Sequence, residues 1–377
     1  MNMKSNQVKF ILYILFFTLI IFLLNSFFYL YSKSIGLDGF DTKLFGGGSD
    51  GSFYAEQAIK FAENSSYIYT SVHIPILGMI LKIFGTENLF ILKLFNQMGN
   101  VLLVLATIYL STLITDKIKY NNLCLIILIN ILYPSLLILS TTSIYRDNWI
   151  LFYYILALCF LIKYIKTKNI IFSLLFLVTL VPLFLYRDYA VLPLLIVYIF
   201  YFLRKFISLK WMLLFLFVLL NLSIIFAKDY KFPLINMSIS DALQFRQTGM
   251  ESMEGGSQLN IHLDTTNLVS FYLNYFYAFL SSVFGPFIWQ ANSFSMLMIM
   301  CCEGIPFLLI AYYVIKNIKT MSVSEIIIII SSLVLFLEIS LINDNLGTAT
   351  RVRILGWLPL ITMIISRLGE KNNENSV

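Results

Sequence analysis

The sequence predicts an all-α polytopic membrane protein with about ten transmembrane helices. Hydrophobic residues make up 59% of its 377 residues and charged residues only 12%, about half the charged share of a soluble domain. Mean hydropathy is +0.84. Apolar runs of about 20 residues, the length that crosses a bilayer, recur along the whole chain. We therefore expect a single integral membrane domain over residues 1–377.

The apolar runs place the helices in order. The first run is too long for a cleavable signal peptide, and lysines near its start predict a cytoplasmic N-terminus. Pro134 lies inside the third run. Predicted spans cover residues 9–31, 89–114, 122–141, 148–165, 169–185, 189–203, 208–227, 294–315, 324–342 and 352–367.

An aromatic-rich segment at 267–290 could form an eleventh span. A simple crossing there would put Lys316 and Lys319 outside, against the positive-inside rule. We therefore predict a re-entrant or interfacial segment, which leaves ten crossings and both termini cytoplasmic. The polar stretches then become a first outer loop at 32–88, a long outer loop at 228–266 and a cytoplasmic tail at 369–377.

The first outer loop contains two apolar-periodic stretches, 52–64 and 74–84, that are too short to span. They predict amphipathic helices lying in the membrane interface. Asp50 precedes the first of them in a glycine-rich segment, Gly46–Gly51. One reading is a turn in which Ser49 or Asp50 caps the helix. The other is a catalytic acid in a loop at the mouth of a helix bundle.

The charge pattern argues against a nucleic-acid-binding protein, and the histidines and cysteines form no metal-binding motif. The net charge of +6 comes mostly from lysines in short loops, so it reports topology and predicts no nucleic-acid partner. Two histidines far apart and four cysteines within apolar runs give no metal-binding motif. No cofactor is indicated, although Asp50 with a second carboxylate leaves a divalent cation open.

The predicted topology gathers arginines and acids on the outer face. Arginine forks match phosphate oxygens two at a time, which favours a membrane-embedded diphosphate lipid as ligand; the alternative is that Arg146-Asp147 and Arg187-Asp188 are local ion pairs that end helices. The polar motif 343–353 carries two arginines two apart, one of which could bind a ligand while the other pairs with Asp344. The alternative is an ordinary loop. The candidate substrate-binding residues are His73, Arg146, Arg187, Arg246, Glu303, Asp344, Arg351 and Arg353.

Glu303 and Glu338 lie in apolar runs, where a carboxylate is costly. Gly304 and Pro306 predict a local irregularity that turns Glu303 towards the bundle interior, whereas Glu338 reads as a protonated or hydrogen-bonded acid. The aromatic residues between Phe284 and Trp289 could stack on sugar faces, or could be ordinary interfacial anchors.

Two sets of three short stretches each carry a family resemblance. Residues 49–58, Ser71–Leu77 and Leu81–Glu87 resemble the first outer loop of the GT-C superfamily of membrane glycosyltransferases, especially protein mannosyltransferase-like and aminoarabinose transferase-like members. The resemblance implies that Asp50 is catalytic; those members usually have Asp-Glu where this chain has Asp50-Gly51. Gly285–Trp289, Cys302–Gly304 and Asn345–Arg353 are similar to Wzy-type polymerases of O-antigen and capsule repeat units.

This resemblance implies polymerisation of oligosaccharide units linked to undecaprenyl diphosphate, at the outer face of the cytoplasmic membrane. Asp50 would act as base; Arg146, Arg187, Arg351 and Arg353 would hold the diphosphate, and Arg246 with the 228–266 loop would close over the glycan. A chain-length regulator and a flippase are the implied partners. The first alternative is a transferase of one sugar from a polyprenyl-phosphate donor to a lipid or protein; the second is a transporter.

Overall fold

The computed structural model describes residues 3–42, 50–86, 88–115, 120–204, 206, 211, 218, 221–222, 226–231, 238–252 and 257–374. These residues are mostly helical and contain no strand, only an isolated antiparallel bridge between Gln258 and Asn345. The predicted helix at 208–227, most of the loop Gly46–Gly51 and part of the 228–266 loop lie outside the described residues. The all-helical membrane fold predicted from composition is confirmed.

Sixteen α-helices are described. They are α1 Met3–Ser34, α2 Asp50–Glu63, α3 His73–Phe84, α4 Phe90–Ile114, α5 Tyr120–Leu132, α6 Pro134–Thr141, α7 Asp147–Thr167, α8 Ile170–Tyr186, α9 Val191–Leu203, α10 Ile239–Ser252, α11 Leu268–Phe284, α12 Phe294–Ile299, α13 Ile305–Asn317, α14 Val323–Ile342, α15 Leu346–Val352 and α16 Ile354–Glu374. A π-helical turn, Met300–Gly304, joins α12 to α13, and a 3-10 turn, Ile318–Thr320, follows α13.

Five helical stretches within the described residues are long and apolar enough to cross a membrane: Val8–Ser34, Phe90–Ile114, Asp147–Thr167, Phe294–Thr320 and Val323–Ile342. The bent pairs α5–α6 and α15–α16 raise that number to seven if each pair is one span. Four apolar helices are shorter: α3, α8, α9 and α11. The protein is thus polytopic, with five to seven spans by this measure against the predicted ten.

The bend of 68° between α5 and α6 has a clear local cause. Pro134 is the first residue of α6, and Tyr133 before it adopts an extended conformation (φ −81°, ψ 101°). A residue before proline is pushed out of the α region by the proline ring, and proline suits the first helical position. The predicted helix at 122–141 is therefore two helices that meet at Pro134.

The chain divides into two compact units. The first consists of Met1–Arg187 with Ile361–Val377. In it α7 packs against α4 and α8, and α2 packs against α3. Gly78 of α3 allows the close approach of the two short helices, since a Cβ there would lie 2.9 Å from the backbone oxygen of Ala58. The core of this unit joins α2 and α3 through Ala58, Phe61, Ile74 and Leu77.

The second unit consists of Asp188–Leu360. Its centre is α14, which contacts α9, α10 and α11. Ile239 of α10 and Phe271 of α11 form a small buried cluster there with Leu341 at the end of α14. The prediction of one membrane domain is not tested by this division.

Candidate functional site

Asp50 is the first residue of α2 rather than a loop residue. An acid in the first turn is favoured by the helix dipole. Gly51, the next residue, lies against the chain that follows α6: a Cβ at Gly51 would overlap Ser143 Oγ and lie 3.2 Å from Phe40 Cβ. A second acid could therefore occupy this position only if its neighbours moved.

Tyr54 lies one turn after Asp50, and the phenol is surrounded by charge. Its pKa is raised, mainly by burial. Arg146 and Arg187 act on it to lower the pKa, whereas Asp147 and Asp50 act to raise it. The first unit thus places Asp50, Arg146 and Arg187 within electrostatic range of one tyrosine, which stays protonated at neutral pH.

Arg146 is tied to the loop before α3. Its Nη1 donates to Ser71 Oγ over 3.2 Å. The same hydroxyl accepts from the backbone N–H of His73 over 3.3 Å. Arg146 immediately precedes α7 and Arg187 immediately follows α8, and these two helices pack together. The arginines are therefore carried by adjoining ends of a packed helix pair.

His73 is fully buried at the start of α3. Its Nε2 lies 3.1 Å from the carbonyl oxygen of Ile144, and because a carbonyl only accepts, Nε2 carries the hydrogen. Burial lowers the pKa of His73 to about 4, so the ring is neutral. His73 therefore supports the chain just before Arg146 from inside the protein.

Ile144 is the last of four consecutive carbonyls that receive side-chain donors. We call the segment Thr141–Ile144 the carbonyl turn. Lys93 Nζ donates to the first two carbonyls, each over 2.9 Å, and Asn96 Nδ2 donates to Ser143 O over 3.3 Å. A helix end leaves carbonyls without intrahelical partners, and here α3 and α4 satisfy them. The carbonyl turn leads directly to Arg146 and so fixes where α7 begins.

The second unit uses its predicted site residues differently. Arg246 is 3% exposed and forms an ion pair with Asp344. The guanidinium also donates to Ser340 O over 3.0 Å and to Ile261 O over 3.2 Å. Asp344 in turn accepts from the backbone N–H of Asn260 over 2.7 Å. These contacts hold the outer-loop segment 257–261 to the turn before α15, and the two charges neutralise each other.

Arg353 does not pair with Asp344, contrary to one reading of the motif. Arg353 Nη2 lies 2.8 Å from Glu303 Oε2 and both side chains are 1% exposed. Arg353 also donates to Gly285 O, and its guanidinium lies over the Phe307 ring, 5.3 Å from the centroid. Gly285, Glu303 and Arg353, which are far apart in the sequence, therefore meet at one ion pair.

Glu303 lies in the π-helical turn Met300–Gly304. The irregularity predicted from Gly304 and Pro306 is present, and it turns the carboxylate inwards. Gly304 is needed for close packing, since a Cβ there would lie 2.5 Å from Phe284 O. Arg351 lies in the last turn of α15 and is partly buried.

Sequence reasoning missed two residues of the first unit, and each carried a signal. Tyr54 is four residues after Asp50, the spacing that puts two side chains on one helical face, but the predicted helix began after Asp50. Lys93 is a lone cation in an apolar span, which is costly unless it has partners. Among the described residues no three His, Cys, Asp or Glu side chains converge as a metal site would require.

Comparison of the chain with models of known protein families, with curated proteins and with solved structures finds no match.

Proposed function

We propose that this protein is a membrane glycosyltransferase of the GT-C type that polymerises oligosaccharide units carried on a polyprenyl diphosphate. The observation that supports it is the cluster of the first unit: the Asp50 carboxylate and the guanidinium groups of Arg146 and Arg187 all act on the Tyr54 phenol. A base beside two phosphate-binding groups is what glycosyl transfer from a lipid diphosphate requires.

In the proposed reaction Asp50 takes the proton of an acceptor hydroxyl. The acceptor oxygen forms a bond to the anomeric carbon of the growing glycan, and the bond from that carbon to the diphosphate oxygen breaks. The electron pair leaves with the diphosphate, whose charge Arg146 and Arg187 stabilise. Tyr54, being protonated, can donate a hydrogen bond to the same anion.

In this proposal the remaining predicted site residues, except Arg351, support the chain and do not contact the substrate. His73 holds the carbonyl turn before Arg146. Arg246 and Asp344 fix the outer-loop segment 257–261, and Arg353 with Glu303 fixes the chain at Gly285. Arg351 keeps its proposed role in anion binding. The reaction above uses only groups of the first unit.

We further propose about ten crossings, with both termini cytoplasmic and the site at the outer face of the cytoplasmic membrane. In this proposal the short apolar helices α8 and α9 also cross the membrane, in addition to the helices that are long enough by themselves. Lipid-linked units would reach the site from a flippase, and a chain-length regulator would set product size.

Transfer of a single sugar from a polyprenyl monophosphate is the second candidate. It is favoured by the burial of Arg246 and Arg353 in ion pairs, because fewer arginines remain for an anion. The two candidates differ in the glycan of a deletion strain: single repeat units indicate a polymerase, and a glycan lacking one branch sugar indicates a transferase.

The test is complementation of that deletion strain together with synthesis from purified protein and lipid-linked oligosaccharide. We expect Asp50→Asn to stay in the membrane and to abolish long chains. The matched control is Glu56→Gln, which removes an acid on the exposed side of the same helix, where Glu56 pairs with Lys60, and should leave the ladder unchanged. A normal chain-length ladder from the Asp50→Asn variant would overturn the proposal, as would transport of substrate without any product.

A further inference from the structure

Helix α11 carries two unusual surfaces on one face, neither of which the proposed reaction uses. At Asn274 the helix adjoins a polar cleft, and at Tyr277 it holds an exposed tryptophan. Residues three apart are neighbours on a helix surface, so the two surfaces are about one turn from each other. We call the face Asn274–Tyr277, with its flanking cleft and tryptophan, the α11 track.

The cleft has a volume of about 460 Å³, within the usual range for small-molecule sites. It lies between α10 and residues 261–265, and Asn274 of α11 donates to His262 O over 2.8 Å. Its lining is mostly polar and includes amide, imidazole, carboxylate and hydroxyl groups: Ser240, Gln244, Gln247, His262, Asp264 and Thr265. The buried Arg246 also lines the cleft, and its charge is already neutralised by Asp344.

The other surface is a braced aromatic platform, Phe287–Gln290. Trp289 is 69% exposed, yet its Nε1 donates to Tyr277 Oη over 3.0 Å. Gln290 Nε2 donates to the same oxygen over 3.0 Å and to Ser281 Oγ over 2.8 Å. Phe287 stacks on one face of the Trp289 ring, with centroids 5.0 Å apart. The indole is thereby fixed, with its second face open.

This arrangement favours a sugar over a lipid as the occupant. A tryptophan that anchors a protein at a membrane interface keeps its polar end in the wet region, but the Trp289 N–H is used inside the protein. The Tyr277 oxygen already accepts two hydrogen bonds, and its own hydrogen has no acceptor among the described residues, so it can donate to a ligand oxygen beside the open ring face. An apolar face next to a hydrogen-bond donor matches a pyranose ring, which has both.

We propose that the α11 track binds an extended chain of pyranose sugars, with one sugar stacked on Trp289 and others in the polar cleft. This rests on the proposed function, since it assigns the track to the glycan part of the lipid-linked substrate. On this proposal, the contact of Arg353 with Gly285 O fixes the start of the loop that carries the aromatic platform.

The probe is the oligosaccharide released by mild acid from the lipid-linked fraction of the source cells, labelled with a fluorophore and measured by fluorescence anisotropy on the detergent-solubilised protein. We expect saturable binding that Trp289→Leu weakens about tenfold, the effect of losing roughly one aromatic contact. Trp289→Phe should keep most of the affinity, because a ring face remains. Tyr277→Phe should weaken binding while the unfolding midpoint stays close to that of the wild type.

Trp211→Leu is the matched control, because Trp211 is also exposed, at 63%, and lies outside the track; it should bind as the wild type does. Equal binding by Trp289→Leu and wild type would overturn the proposal. So would competition by phosphatidylglycerol vesicles that contain no glycan, which would make Trp289 a membrane anchor. If Asp50→Asn still makes polymer while binding depends on Trp289, the proposed reaction fails and the track survives. If Asp50→Asn makes no polymer while binding does not depend on Trp289, only the sugar-binding role of the α11 track is overturned.

Discussion

His73 shows how one buried side chain can link pH to the candidate site. Its Nε2 holds Ile144 O, and its Nδ1 is buried with no hydrogen-bond partner among the described residues. Protonation of Nδ1 would therefore create a buried charged N–H with no hydrogen-bond acceptor among the described residues. The nearby charges of Arg146 and Asp147 act in opposite directions, which leaves desolvation as the main cause of the lowered pKa.

Stability should consequently fall as pH falls. The pKa of His73 is about 4 in the folded protein and about 6.5 in an unfolded chain. Between these values the unfolded state binds more protons, so the free energy of unfolding rises with pH. We expect a loss of about 2 kcal/mol between pH 7 and pH 5, seen as a lower unfolding midpoint in detergent.

Other groups titrate in the same window, so the control is His73→Gln, whose amide can still donate to Ile144 O but does not ionise. The midpoint of this variant should fall less between pH 7 and pH 5 than that of the wild type. Equal losses in the two proteins would contradict the role of His73 as the titrating group.

At the scale of elements, the start of α2 and the carbonyl turn are built to touch. Gly51→Ala should destabilise the protein by about 1–3 kcal/mol, as overpacking does, because the added methyl group overlaps Ser143 Oγ. Ser143→Ala alone should be nearly neutral, since its buried hydroxyl has no partner among the described residues. The double variant should recover part of the loss, with Ser143 Cβ at 3.1 Å still crowding the new methyl group.

Unfolding midpoints of the four proteins form a double-mutant cycle for this contact. Gly249→Ala is the matched control, because a Cβ at Gly249 would meet nothing within 4 Å and alanine favours a helix. Additive effects of Gly51→Ala and Ser143→Ala would show that the two elements do not meet as described.

Sequence patterns predicted the elements better than their contacts. Pro134, Gly304 and Pro306 each have a local steric effect, so the break before α6 and the irregular turn at Glu303 could be anticipated. The carbonyl turn could not, because its acceptors are backbone oxygens and leave no mark in the sequence. Arg246 and Arg353 looked like ligand groups for the same reason: carbonyls and distant carboxylates, rather than adjacent residues, satisfy them.

At the scale of the whole molecule, the path of α11 decides which side of the membrane Trp289 occupies. At 17 residues, α11 is about 25 Å long, slightly less than the hydrocarbon thickness. If α11 is interfacial or re-entrant, the span Phe294–Thr320 runs inwards and Lys319 is cytoplasmic, in agreement with the positive-inside rule. If α11 crosses, Lys319 lies outside and Trp289 faces the cytosol.

Single cysteines in a background that lacks Cys124, Cys159, Cys301 and Cys302 separate these two paths. With a membrane-impermeant maleimide on intact cells, we expect labelling at Asp264→Cys and Ser66→Cys, and protection at Lys319→Cys and Thr167→Cys until the cells are permeabilised. All four positions are exposed in the structure, so protection reports sidedness rather than burial. Labelling of Lys319→Cys in intact cells would mean that α11 crosses the membrane. This single result would contradict both the predicted cytoplasmic position of Lys319 and the sugar-binding role of Trp289.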